Sequence, residues 1–366
     1  MTPRRVTMVC SSDAWGGTEK WSLRAAELLA SRDVEVTFAG RSPELFAQHA
    51  RSRLRFLKLP FMNEADLVTV LRLAVHFRSQ DVVVLTRVRD YWLGGLAAKL
   101  SGTPALLRLG VVRRLRENYW MDRLRYGTLP SAVLVNAQPI ADTLKQTSWM
   151  RSKPVSVISN GVDAPGPLST KERNDVRDSL AIPKNALLVV GTGRLAEEKR
   201  WHLMLDAIAE LNRRSLPVCG VLLGEGDQRG ALEARAKELS VDQLVSFPGQ
   251  VTDADRWLSA ADLYVQPSRN EGLSNSLLEA MGRGVASVTS AAGGVRDHFT
   301  DGEELLIADV DSEADFLSRV VRLAEDSSLR KQIASRGLSA VRKTFAWERM
   351  TDQLLDLLAT VSEARR

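Results

Sequence analysis

Short β-rich runs, each followed by a stretch of helical pattern, constrain this 366-residue chain more than any other feature. They fall at residues 6–10, 34–39, 54–59, 82–86, 105–109, 132–136 and 155–158. A second set starts afresh at 187–191 and continues at 218–223, 245–248, 263–266, 286–289 and 305–307. Such alternation is the pattern of parallel sheets covered by helices, so an α/β class is expected. The length exceeds what one core of about 250 to 300 residues accommodates, which makes two domains the expectation. Between the sets lies Asn160-Gly161-Val162-Asp163-Ala164-Pro165-Gly166-Pro167, a run of turn formers that reads as a linker. The predicted domains are 1–163 and 164–345, with a C-terminal helical segment at 346–366.

The richest local pattern begins at Glu271 and reads EGLSNSLLEAMGRGVASV. It follows a short apolar run ended by Pro267, so a buried strand feeds a loop and then a helix opening near Ser274. A strand, a glycine turn and a helix start favour an anion through unpaired N–H groups and the helix dipole. Glu271 and Glu279 would repel a phosphate unless they face something else. A ligand with phosphate at the amides and hydroxyls at the carboxylates, a nucleotide sugar, reconciles the two. Upstream, Val189 to Lys199 reads VVGTGRLAEEK: an apolar run, then glycines that let backbone approach a ligand, then Arg194 and Lys199 five residues apart. An Arg fork and a Lys point charge suit a diphosphate.

Glu-x7-Glu followed by Ala-Met and by Gly293-Gly294, the Gly193-Arg194-Leu195-x-x-x-Lys199 spacing, and the Gly224-Glu225-Gly226 turn together resemble the GT-B glycosyltransferases of family 4, the glycosyltransferase group 1 type, which retain anomeric configuration. The resemblance implies two Rossmann-like βαβ domains facing across a cleft that holds the donor. It implies Glu271 on hexose hydroxyls, Glu279 on the ribose, and Arg194 with Lys199 neutralising the leaving diphosphate. It adds Gly193, Gly272, Leu273, Ser274 and Asn275 to the donor site. Gly16 and Gly17, after the first strand, resemble the family's Gly-Gly loop near donor phosphate and acceptor. Asn160-Gly161-Val162-Asp163 is similar to the interdomain motif, and the final helix to one that crosses back to the first domain.

Two departures stand out. Relatives often carry a histidine after the fifth strand, where this chain has Arg108-Leu109-Gly110; Asp90 is a candidate substitute base on a loop, or a solvated helix-cap residue. Ala286 stands where relatives usually have proline. The missing histidine keeps a non-catalytic sugar-nucleotide-binding protein open as an alternative, and an epimerase on the same architecture is another. No G-x-G-x-x-G follows the first strand, which argues against a nicotinamide dehydrogenase.

Charge separates the halves. Through Asp163 there are 24 Lys and Arg against 14 Asp and Glu, and afterwards 26 against 31. The resemblance implies that the first domain takes the acceptor, so an anionic glycan or lipid-linked acceptor is expected, with peripheral contact at the inner face of a membrane. Arg108 and residues 113–126, above all Arg113, Arg114, Arg116, Tyr119 and Trp120, form the candidate acceptor or membrane patch; the alternative is an ordinary amphipathic surface helix. Nucleic acid is not expected as a partner. No apolar run of about eighteen residues occurs and no signal-peptide core precedes the first strand, so the reading is cytoplasmic. Cys10 and Cys219, in expected buried strands, suggest no disulfide framework. Four histidines without ligand spacing, and Asp253-Ala254-Asp255 read as a helix start, give no metal site. The resemblance likewise implies metal-independent catalysis, no cofactor, and a nucleoside-diphosphate sugar of the UDP type as donor.

Overall fold

Valine- and leucine-rich runs bounded by Pro, Gly and Asp become thirteen parallel strands in a computed structural model that describes residues 3–111 and 113–363. Residues 1, 2, 112 and 364–366, which include the end of the predicted C-terminal segment, lie outside the described residues. The chain divides into two units. One runs to Gly161 and resumes at Trp347; the other is Val162–Ala346.

The first unit holds β1 (Arg5–Val9), β2 (Glu35–Gly40), β3 (Arg55–Lys58), β4 (Val82–Leu85), β5 (Ala105–Leu109), β6 (Ala132–Val135) and β7 (Val155–Val157). Their order across the sheet is β3-β2-β1-β4-β5-β6-β7. Every pair is parallel, for instance Val6 beside Val36 on one side and Val82 on the other. The second unit holds β8 (Leu187–Thr192), β9 (Val218–Leu223), β10 (Val245–Gly249), β11 (Leu263–Gln266), β12 (Ala286–Ser290) and β13 (Leu306–Ala308), in the order β10-β9-β8-β11-β12-β13. In both sheets the order reverses between the unit's first and fourth strands. That reversal splays the adjoining loops apart at the carboxyl ends and makes the natural ligand crevice of an open α/β sheet.

Each expected strand exists, with ends displaced by a residue or two. Cys10 follows β1 instead of closing it, and Cys219 on β9 is only half-buried. The helix Trp347–Glu363 packs Trp347, Met350, Leu354, Leu358 and Val361 into the first unit's core beside Leu23, Ala26 and Val84. At about 1.5 to 3 kcal/mol for each fully buried side chain, an upper estimate, those five offset a large part of the cost of ordering the helix. Gly161 meets the same tryptophan so closely that a Cβ there would sit 2.5 Å from its ring.

Residues 113–126 are not one helix. Only Trp120–Asp122 is α-helical, and it runs into a single wide turn, Arg123–Thr128, closed by Leu129 N–H donating to the Leu124 carbonyl. Tyr126 is buried there, so the apolar residues of the segment face inward as well as outward. Among the described residues no helix is long and apolar enough to cross a membrane.

Candidate functional site

In the second unit the two richest sequence motifs meet at the strand-order reversal. Lys199 comes from the loop after β8 and Glu271 from the loop after β11, seventy-two residues apart, and they form an ion pair. Both side chains are four-fifths covered, Lys199 at 19% and Glu271 at 20% exposure. Beside them Arg194 is largely exposed and pairs with Glu198 one turn on.

Glycines hold these loops by backbone contact. Gly193 has φ +150° and Gly224 φ +142°; a Cβ on Gly224 would lie 1.9 Å from the Gly193 carbonyl oxygen. Gly193 N–H donates to the Leu223 carbonyl at 2.9 Å, and Leu195 N–H to that of Glu225 at 2.9 Å. The Gly293-Gly294 turn does the same for the Glu271 loop. Gly293 is left-handed, a Cβ on it would come within 1.9 Å of the Gly272 oxygen, and Gly294 N–H donates to that oxygen at 2.9 Å. Only glycine tolerates such approach.

Leu273 is buried and anchors the loop, and Ser274 caps the next helix by accepting from Leu277 N–H at 3.4 Å. That helix, Asn275–Met281, has seven residues, two turns carrying Glu279 on the second. Its dipole therefore contributes less than the sequence pattern suggested, and the cations carry more of the anion preference.

Three residues escaped the sequence reading. Arg200, next to Lys199, is buried with φ +50°. Its guanidinium donates to the Pro267 carbonyl at 2.8 Å, the Val310 carbonyl at 2.8 Å and Ser290 Oγ at 3.1 Å, so it ties the ends of β11 and β12 to the chain beyond β13. Burial lowers its pKa. Tyr264, fully buried on β11, donates to Gln266 Oε1 at 3.1 Å, and burial pushes its phenol pKa up. Ser268, just beyond, has a buried hydroxyl without a hydrogen-bond partner. The run Glu-Glu-Lys-Arg was a signal for Arg200, since a second cation beside the first needs its own acceptors. Nothing local marks the other two.

The first unit presents the same reversal with different chemistry. Gly16 and Gly17 open the fourteen-residue helix Gly17–Ala30 after β1, where Lys20 N–H donates to the Gly16 carbonyl. Glu19, 1% exposed, pairs with Arg87 from the loop after β4, and Arg87 Nη2 also donates to Ser12 Oγ at 3.1 Å.

Asp90 is neither on a loop nor solvated. It sits in the first turn of the helix Val88–Ser101, fully buried, and accepts from Arg87 N–H at 2.9 Å and Ser11 N–H at 3.2 Å. Burial raises its pKa to about 7, those hydrogen bonds opposing the shift. Its carboxylate is spent on the backbone, so the place of a solvent-facing base is not its place. Burial, helped by Asp90, drives the Cys10 thiol to about 12.

Arg108 also leaves the proposed surface patch. It is buried on β5, 4.4 Å over the Trp21 ring, and donates to Asn160 Oδ1 at 2.9 Å, while desolvation lowers it to about 10. Arg113 lies 5.8 Å over the Tyr126 ring and Arg116 3.6 Å over that of Tyr119, with Asp122 neutralising Arg116. Arg114 and Trp120 remain exposed. Among the described residues no group of three or more His, Cys, Asp or Glu is placed to hold a metal ion. Asp253 precedes the helix Ala254–Ala260 and pairs with Arg256 at 3.3 Å, and Asp255 pairs with Arg283 at 2.7 Å.

Comparison with known proteins bears on the same two units. Residues 186–326 match the family described as glycosyl transferases group 1, and residues 15–164 match glycosyltransferase family 4. The lipopolysaccharide core biosynthesis glycosyltransferase LpsE of Rhizobium meliloti (strain 1021) is 28% identical over 349 residues, 94% of this chain and 96% of that protein. LpsD of the same organism is 29% identical over 255 residues, 69% of this chain and 70% of its own. The structure of Anabaena Alr3699/HepE in complex with UDP and glucose superposes with a TM-score of 0.85 at 19% identity, covering 98% of this chain and 100% of that one. With two parallel-sheet units, the motif loops gathered at one strand-order reversal, and both halves matched, the chain belongs to the GT-B glycosyltransferases of family 4.

Proposed function

We propose that this glycosyltransferase moves a hexose or N-acetylhexosamine from a nucleoside-diphosphate sugar of the UDP type to a cell-envelope glycan or lipid-linked acceptor on the cytoplasmic side, retaining anomeric configuration without a metal ion. The observation that carries this is the meeting of Lys199 and Glu271 at the strand-order reversal of the second unit. A cation and a carboxylate side by side match a ligand with an anionic diphosphate and a neutral hydroxylated ring. The UDP and glucose bound by HepE and the lipopolysaccharide core assignment of LpsE and LpsD support the donor and acceptor classes.

In this reading the anomeric carbon–oxygen bond to the diphosphate breaks while a bond from the acceptor oxygen forms on the same face, and the acceptor proton passes to the departing phosphate oxygen. Negative charge grows on that phosphate, so Lys199 and Arg194 stabilise the transition state more than the ground state. Glu271 orients the hexose, and Glu279 the ribose. Arg200 and the glycine contacts fix the loops so that little reorganisation is needed when charge develops. No side chain is asked to be a strong base, which fits an Asp90 occupied with backbone N–H groups.

A thermal-shift series with UDP, GDP, ADP and their sugar conjugates tests the donor assignment, because a ligand that binds only the native state raises its apparent stability. UDP and a UDP-sugar should stabilise the wild type and lose most of that effect in Lys199→Ala. A folded wild type indifferent to every nucleotide would remove the basis for the proposal.

A further inference from the structure

The helix Leu67–Phe77 is apolar on both faces. Val70, Leu73, Ala74 and Phe77 are buried, as expected of a helix covering a sheet. On the opposite side Leu67, Leu71 and Val75 form a row at four-residue spacing and are 70%, 61% and 66% exposed, with Val68 and Met62 exposed beside them. The outward face of a surface helix is ordinarily polar. Here its charges are Arg72 and Arg78, and no acid occurs between Leu67 and Gln80.

The row continues across a groove of about 470 Å³ lined by Leu57, Leu59, Leu71, Arg72, Val75 and His76. Leu57 lies on β3, the edge strand of its sheet, and Leu59 just beyond it. Arg51, Arg53, Arg55 and Lys58 are exposed along the same stretch of chain. Arg55 stands close enough to act on His76, whose pKa is lowered first by burial and then by that guanidinium. The neighbouring acids are already paired: Glu35 with Arg5 at 3.3 Å and Arg55 at 3.8 Å, Glu44 with Lys58, and Glu64 with Arg125 at 2.6 Å.

From this juxtaposition we infer that the Leu67–Phe77 helix and the β3 edge form a docking surface for an anionic lipid bilayer, Leu67, Leu71 and Val75 entering the headgroup and acyl boundary while Arg72, Arg78, Arg53 and Arg55 meet phosphate. Aliphatic side chains on one face with a cationic rim are what interfacial helices use, and burial of apolar area adds to attraction by anionic lipid. Charge argues against a second copy of the chain as occupant. An isologous contact through this face would set Arg72 and Arg78 of both copies against each other with no free acid between them. The surface is thus built from residues other than 113–126, whose cations are largely occupied by Asp122, Glu64 and ring faces.

Flotation of the purified full-length protein with vesicles of phosphatidylethanolamine and phosphatidylglycerol, against pure phosphatidylcholine, tests the inference independently of the donor site. The wild type should partition onto the anionic vesicles at least ten-fold better than onto the neutral ones, and less at high salt. Leu71→Asp with Val75→Asp should reduce that binding at least ten-fold, Arg72→Glu several-fold, and Trp120→Ala less than two-fold. An unshifted melting temperature certifies each variant; Leu67→Gln with Leu71→Gln replaces the aspartate pair if that one is destabilised. Wild-type protein that ignores anionic vesicles, or a folded double variant that binds them like wild type, overturns the inference. So does a dimer in light scattering that either double variant dissociates.

Discussion

The two strand-order reversals carry mirror-image ion pairs. In the first unit the acid, Glu19, comes from the first turn of the helix after the first strand and the cation, Arg87, from the loop after the fourth. In the second unit the base, Lys199, follows the first strand and the acid, Glu271, the fourth. Topology brings the same two loops together in each, so an ion pair there is a consequence of the fold. Environment separates them. Glu19 is sealed at 1% exposure, with Asp90 and Arg108 buried nearby and committed to backbone, ring and amide partners. Lys199 and Glu271 remain reachable, with exposed Arg194 beside them. Location at a crevice marks a candidate; accessible, exchangeable charge marks the one that can trade its internal partner for a ligand.

Breaking each pair should therefore give opposite phenotypes. Glu271→Ala is expected to lower transfer, read as nucleoside diphosphate released in the presence of acceptor, by about 10³-fold, a loss of about 4 kcal/mol in the transition state. Its melting temperature should change little. Undiminished turnover in that variant would sink the site assignment.

Arg87→Ala leaves Glu19 buried and unpaired, so chemical denaturation should report a loss of about 2 to 3 kcal/mol, the lower end for a pair whose arginine is half-exposed. UDP-sugar affinity should be preserved. Unchanged stability together with lost donor binding would reverse the contrast drawn between the two pairs.

Asp90→Asn sharpens the comparison through pH. The folded carboxyl, at about 7, holds its proton more tightly than an unfolded aspartate near 3.8. Its stabilising contribution is thus complete below the unfolded value and is lost as pH rises through about 7. Stability measured from pH 4 to 8 should fall with a component on the order of 4 kcal/mol that is absent in the asparagine variant. Parallel pH curves for the two proteins would show that Asp90 does not titrate in this range.

The smallest effect belongs to Arg194→Ala. Its side chain is 68% exposed and paired with Glu198, so stability should move by less than about 0.5 kcal/mol. Nucleotide affinity by calorimetry should weaken about ten-fold, one charge-assisted contact to phosphate. Equal affinity would leave Lys199 as the sole cation at the diphosphate.

How far the sequence reached differs from residue to residue. The strands were legible because β-branched runs between turn formers have few other uses, and Gly193, Gly224 and Gly293 were legible as motif members. Why they must be glycine was not, since the atoms that would clash with a Cβ belong to other loops. Asp90 read as a surface cap because arginines precede it at 87 and 89; its burial comes with Ser11 and Cys10, just beyond the neighbouring strand. Residues 113–126 read as one amphipathic element because periodicity ignores the wide turn at Arg123–Thr128. The apolar outer row of Leu67–Phe77 passed unnoticed for the complementary reason: a helix apolar all round looks, in one dimension, like a buried one.

By itself the sequence determined the fold class, the two sheets and the family, and it singled out the candidate donor-motif residues, because those rest on local spacing and residue chemistry. Tertiary structure alone decided which charges are sealed and which are available. It paired Lys199 with Glu271, buried Asp90 and Arg108, placed Arg200 under three loops and left Leu67, Leu71 and Val75 uncovered. Desolvation and partner choice depend on what the chain brings alongside from tens of residues away, and no window of sequence contains that information.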